Sequence, residues 1–214
     1  MCSPLVRTGL GISVSVGHGG RVNMKEKWEG ALKIVREHST DSAIFFTCDK
    51  ESTLLLELRM GLDIPVLFVD TGLYQDEIYQ YLKTAEEHWK FKTVILKNEK
   101  VIGESSASGK EDCYVLLRDK IILPYLLEKG IKTLIEPLKG DERLKKDRVI
   151  RVFPLSGFSD LDVWRVIKDR GIPYCELYNK GFRDVGCEPC SASEKQEDVD
   201  REEVQRRLKA LGYL

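Results

Sequence analysis

Residues 43–58 read AIFFTCDKESTLLLEL, and the order of their parts decides the fold. Ala43 to Thr47 is an apolar run of strand length, and Leu54, Leu55, Leu56 and Leu58 belong to a helical stretch. Between them, Thr47-Cys48-Asp49-Lys50-Glu51-Ser52-Thr53 forms a polar loop that opens the helix. Unsatisfied backbone N–H groups and the positive dipole end at such a helix start suit an anion. Lys50 adds a point charge for a phosphate, and Thr47, Ser52 and Thr53 add hydroxyl donors. The same residue types also cap a helix with no ligand present.

Downstream the alternation repeats. Ile64 to Val69 (IPVLFV) is a second buried-strand run, ended by Asp70-Thr71-Gly72. Ile78, Tyr81, Leu82, Ala85 and Trp89 then recur at helical spacing, followed by a third strand candidate from Thr93 to Leu96. A polar loop from Gly103 to Gly109 leads into a helical segment from Val115 to Glu128, which Pro124 is expected to bend or to restart as a new first turn, and Gly130 to close. Lys132 to Ile135 and Val149 to Phe153 are further strand candidates. Upstream, Trp28, Ala31, Leu32 and Val35 mark an amphipathic helix from Met24. Strands alternating with helices predict an α/β fold, a mostly parallel twisted sheet with helices on both faces. In such sheets ligands bind beyond the carboxyl ends of the strands, which singles out the loops 48–52, 70–72 and 137–143. Asp70 there binds a ribose hydroxyl or a metal ion, or serves its own turn.

Three regions follow. Residues 1–23 are a glycine- and serine-bearing extension, loosely ordered or hairpin-like, with Met24 as an alternative natural start. Residues 24–190 form one domain, whose Cys-bearing last stretch is irregular beyond a helix at Asp160–Arg170. Residues 191–214 read as a charged terminal helix on Val204, Leu208 and Leu211.

With 214 residues, 42% hydrophobic and 32% charged, the chain buries a core without staples. Its apolar runs fall far short of a bilayer span, so no membrane role is expected. A net charge of −1 argues against general nucleic-acid binding. The N-terminus is a poor secretory signal, so a cytoplasmic, reducing compartment is expected for the six cysteines. Cys187-Glu188-Pro189-Cys190 lets two thiolates converge on a metal or cluster, or form a redox disulfide. Cys113 is the third ligand candidate, with Cys175 or a non-protein group as the fourth. Cys48 reads as apolar filler. The sequence holds no HxxxH, GxSxG or Walker loop.

These segments, with PLKGDER (137–143) and the long stretch 149–190 ending GFRDVGCEPC, resemble the PP-loop adenine-nucleotide proteins. The chain is similar to the phosphoadenylyl-sulfate (PAPS) and adenylyl-sulfate (APS) reductases and their relative, the small subunit of sulfate adenylyltransferase. The resemblance covers about residues 24–190 and implies an adenine nucleotide alpha hydrolase-like fold. It puts the family's S-x-G-K-D-S loop on Thr47 to Ser52, where Lys50 and Ser52 agree and Asp49 replaces glycine. Phe68 to Gly72 matches an adenosine-site segment, so Asp70, Thr71 and Gly72 are expected to bind nucleotide. Lys139 and Arg143 match a basic loop.

A cluster-bearing reductase would imply a [4Fe–4S] group on a Cys-Cys pair and a later CxxC. Here Asp112-Cys113 is one thiolate short, which leaves a three-cysteine cluster or zinc on Cys113, Cys187 and Cys190. The family's nucleophilic tail cysteine has no counterpart after Cys190. The attacking thiol then comes from Cys187, Cys190 or a thioredoxin-like partner. The resemblance implies a sulfur-metabolism enzyme acting on APS or PAPS, with Lys50 as a further catalytic candidate. The alternatives are adenylyl transfer from ATP with Mg²⁺, or a non-catalytic nucleotide- or cluster-binding module. A homo-oligomer is left open.

Overall fold

The computed structural model describes residues 23–106, 110–138 and 149–191, with the side chains of 104–106, 110–112 and 189–190 left aside. The expected terminal helix, residues 1–22, Lys139 and Arg143 lie outside them.

Five short strands form one sheet: β1 (Ser42–Phe45), β2 (Val66–Val69), β3 (Thr93–Leu96), β4 (Thr133–Ile135) and β5 (Ile150–Val152). Their order is β3-β2-β1-β4-β5, and all four pairings are parallel. The expected strands at 43–47, 64–69, 93–96, 132–135 and 149–153 are all present: β3 has the expected bounds, β1 starts one residue earlier and ends sooner, and the other three are shorter. The chain moves outward from β1 through β2 to β3, then returns to β4 on the other side of β1. That reversal places a topological switch point between β1 and β4, where open α/β sheets form their ligand crevice.

Because strand side chains alternate between faces, neighbouring residues enter different cores. Ile44, Val66, Phe68 and Ile135 join one cluster with α1 (Met24–Glu37), α2 (Lys50–Leu58), α3 (Asp76–Trp89) and α7 (Asp160–Arg170). Ala43, Phe45, Leu67, Val69 and Leu134 join the other, with α4 (Glu99–Ser106), α5 (Lys110–Leu117) and α6 (Leu123–Glu128). Both faces of the sheet are therefore covered, as its near-continuous apolar strands require.

The helical segment interrupted at Pro124 is α5 and α6 joined by a π-helical turn, Arg118–Ile122, and of the two expectations for Pro124 the new first turn is the one seen. Pro124 sits in the first turn of α6, where its missing N–H costs no helical hydrogen bond. Gly130 ends the segment at φ +68°, the left-handed conformation that favours glycine. Helix α7 starts with a capping box in which the Ser159 side chain accepts from the Asp162 N–H and the Asp162 carboxylate accepts from the Ser159 N–H. Beyond it, a strap from Pro173 to Val185, including a 3₁₀ turn at Glu176–Tyr178, returns over the start of α2. The one-turn helix α8 (Glu188–Ser191) follows.

Candidate active site

Phe46 to Asp49 leave β1 at its carboxyl end and turn into α2. Cys48 makes the turn at φ +62°, an uncommon conformation for a residue with a side chain. Asp49 then takes extended N-cap geometry, and its carboxylate accepts the Ser52 N–H at 2.6 Å and the Thr47 hydroxyl at 2.8 Å. The Asp49 carbonyl accepts from the Thr53 N–H and from the hydroxyls of Ser52 and Thr53. Tyr178, from the strap, accepts the Lys50 N–H on its phenol oxygen at 3.0 Å.

Lys50 does not reach for solvent. Only 2% exposed, its ammonium lies 3.1 Å from Asp184, 3.3 Å from Glu51 and 3.8 Å from Asp160. Burial works against that charge, but Glu51, Asp184 and Asp160 outweigh it and hold the ammonium above its ordinary pKa. Burial and the neighbouring Glu51 push the Asp49 carboxyl the other way from a salt-bridged acid, up to about 6, against the hydrogen bonds from Ser52 and Thr47. Thr47, Lys50 and Ser52 are thus brought together as expected, and their polar groups are engaged within the chain.

The raised Asp49 pKa makes a signed prediction. The folded state binds this proton more tightly than the unfolded chain. Its stabilising effect is therefore complete below an ordinary carboxylate pKa near ~4 and fades as pH rises through about 6. Relative to Asp49→Asn, the native protein should lose on the order of 2–3 kcal/mol of unfolding free energy across that window. Parallel stability-versus-pH curves for the two proteins would refute it.

The second loop leaves β2. The Asp70 carboxylate accepts the Gly72 N–H at 2.9 Å and the Tyr79 hydroxyl at 2.7 Å, and Thr71 Oγ1 accepts the Leu73 N–H. Asp70 forms the Asx turn that sequence allowed as one of its uses. Its negative charge, second to burial, lifts the Tyr79 phenol to about 12.

The CxxC segment docks on this loop: the Glu188 N–H donates to the Leu73 carbonyl at 2.7 Å. Cys187 is partly exposed beside it, whereas Cys48, Cys113 and Cys175 are buried. Burial foremost, then the neighbouring Cys48, Cys187 and Cys113, holds the Tyr74 phenol well above its ordinary value. Burial also pushes the Cys48 thiol well up and the Cys175 thiol to about 11.

Of the three ligand candidates, Cys113 is buried and Cys187 partly exposed, and the Cys190 side chain falls outside the described residues. Among those residues, no three His, Cys, Asp or Glu side chains are grouped to hold a metal ion. Sequence reasoning missed Tyr178, Asp160 and Asp184 as partners of Lys50, since they lie over a hundred positions away and no local pattern links them. It also missed Tyr74 and Glu136. The Glu136 carboxylate, wholly buried just past β4, accepts from the Tyr114 hydroxyl and from Arg151.

Comparison with known proteins agrees with this layout. Residues 129–193 match the phosphoadenosine phosphosulfate reductase domain model. An adenosine 5'-phosphosulfate reductase of Bacillus velezensis is 25% identical over 192 residues, covering 78% of this chain and 82% of that protein. The corresponding enzyme of Geobacillus thermodenitrificans is 27% identical over 190 residues, covering 77% and 80%. Among solved structures, the PAPS reductase of Candida auris has the same fold, with a TM-score of 0.63 at 16% identity over 84% of this chain and 98% of that one. The FMN adenylyltransferase of Candida glabrata shares the fold at a TM-score of 0.56 and 14% identity, covering 77% and 62%. No helix among the described residues is long and apolar enough to cross a membrane. With its parallel sheet and strand-end loops, the chain has the fold of the solved PAPS reductase and is similar over most of its length to adenosine 5'-phosphosulfate reductases, as the resemblance in its sequence implies.

Proposed function

We propose that the protein is a sulfonucleotide reductase acting on APS or PAPS. The observation that carries this is the docking of the CxxC segment on the Asp70–Tyr74 loop, which brings a partly exposed thiol to the carboxyl edge of the sheet. Similarity to adenosine 5'-phosphosulfate reductases across most of the chain supports the substrate class. In this reading the adenosine lies against Asp70, Thr71 and Gly72, and Lys139 and Arg143 hold the phosphosulfate.

The Cys187 thiolate attacks the sulfate sulfur, and the bond to the bridging oxygen breaks. The adenine nucleotide leaves with that electron pair, and a cysteine thiosulfonate remains. A second thiol, on Cys190 or a thioredoxin-like donor, attacks Sγ of Cys187 and closes a disulfide. Sulfite departs with the electron pair, and the second thiol's proton goes to solvent. The step is a two-electron reduction whose reductant is the dithiol. A [4Fe–4S] cluster or zinc ion enters only if Cys113, Cys187 and Cys190 ligate it together, and no step above passes through one.

Anaerobic thermal-shift titration against AMP, APS, PAPS and Mg·ATP tests the reading. A native-state ligand at ~100 times its dissociation constant adds about 2.7 kcal/mol, or about 5–10 °C for a chain of this size. APS or PAPS should produce that shift. A larger shift with Mg·ATP would replace reduction by adenylyl transfer, and no shift with any of the four would leave a non-catalytic module.

A further inference from the structure

The anion position at the start of α2 is already filled, and by the chain itself. Of the first-turn donors, the Ser52 N–H is taken by the Asp49 carboxylate and the Lys50 N–H by the Tyr178 phenol. The lysine that would neutralise a phosphate is bound to Asp184 and Glu51 and faces Asp160. We propose that Asp49 is a specificity-determining residue, a built-in anion that keeps diphosphate and triphosphate groups out of this loop. The site then takes an adenine nucleotide whose tail bypasses the α2 N-terminus, a discrimination that rests on the adenine-nucleotide reading above.

Three features support it. An entering pyrophosphate has to displace a carboxylate from a 2.6 Å hydrogen bond, and burial of unreplaced polar groups is costly. It also has to approach the Asp49 carboxylate, and Lys50, the loop's own cation, is already engaged with Glu51, Asp160 and Asp184. Finally, the plug is braced from outside the loop. The strap that supplies Tyr178 and Asp184 is itself pinned by the Tyr81 hydroxyl on the Pro173 carbonyl at 3.0 Å and by the Lys180–Glu77 ion pair. Tyr81 in turn meets the Thr53 hydroxyl at 2.7 Å, tying strap, α3 and α2 into one unit. Loop and strap thus hold each other closed.

Calorimetric titration of the full chain with magnesium-free inorganic pyrophosphate, above neutral pH, reads the plug without needing an adenosine site. The native protein should show no measurable binding. Asp49→Gly should gain pyrophosphate affinity by about 10–100-fold, the worth of one or two uncovered charge-assisted hydrogen bonds. Asp49→Asn keeps the cap while losing the charge, and should gain less because its amide oxygen still accepts the Ser52 N–H. Native protein that binds pyrophosphate as tightly as Asp49→Gly overturns the proposal. So does the absence of any gain in both variants when thermal melts show them folded. AMP is titrated separately: if no form binds it, the adenine-nucleotide reading fails while the pyrophosphate comparison still decides the role of Asp49.

Discussion

Glu136→Ala should lower the unfolding free energy by about 3–5 kcal/mol, the cost of leaving a buried charge without its partner. Glu136 is 0% exposed and follows β4 directly, at the switch point. It accepts from Arg151 of β5 through Nε and, at 3.0 Å, through Nη2, and from the Tyr114 hydroxyl of α5. The Arg151 side chain is only 4% exposed and stacks at 5.0 Å on the Phe153 ring. Burial and the Glu136 charge hold the Tyr114 phenol far above its ordinary value, so it donates and does not ionise. Removing the carboxylate takes away the buried acceptor that the guanidinium and the phenol share. At about 2–4 °C per kcal/mol, the midpoint should fall by roughly 10 °C. Glu136→Gln, which keeps one acceptor oxygen, should lose less, and Glu136→Leu with Arg151→Met should recover much of the loss. A midpoint within about 2 °C of the native value for Glu136→Ala would show that Arg151 finds solvent or another anion. The network also fixes where the chain leaves β4 for residues 137–143. Lys139 and Arg143, the cations proposed for the phosphosulfate, belong to that segment.

The strands were legible because both faces of this sheet are covered, so their residues are apolar without interruption and the period-2 signal is not needed. Helices α1 and α3 were legible because each shows one apolar stripe. The π-helical turn at Arg118–Ile122 was not, since it keeps a helical residue pattern and changes only the hydrogen-bond register. Sequence placed Thr47, Lys50 and Ser52 in one loop, but the chemistry of that loop is set by Tyr178 and Asp184, which come from far along the chain. Asp49 shows the limit most clearly. Set against the family's glycine, it reads as a departure that adds charge. Only the 2.6 Å bond to the Ser52 N–H shows that this charge occupies a donor otherwise available to an anion. Asp70 has a similar ambiguity: the Asx turn and the adenosine contact proposed for it fall on the same short loop.

Cys187→Ser should reduce sulfonucleotide reduction by a factor on the order of 10³ or more, as removal of an attacking group does. The choice among thiols is physical. Cys48 and Cys175 are wholly buried, and burial keeps both protonated, so neither supplies a thiolate at neutral pH. Cys113 is 9% exposed and packs in the core beside Leu117 and Val101. Cys187 is partly exposed, and its carbonyl accepts the Ser191 N–H at 2.9 Å, which holds the turn that carries the CxxC. The loop contact from Glu188 to Leu73 fixes that turn against the proposed adenosine site. A rate alone does not separate a nucleophile from a ligand or a structural residue, so the variant is read in two further ways. Mass spectrometry of Cys190→Ser quenched with APS, with no thiol donor added, should show one sulfonate on the Cys187 peptide and none when Cys187→Ser is also introduced. Iron and zinc content should be the same in the native protein and Cys187→Ser. Loss of bound metal together with activity would make Cys187 a ligand and move the attacking thiol to a partner protein. Cys175→Ala, which removes a buried and protonated thiol, should leave the rate within about a factor of two of native.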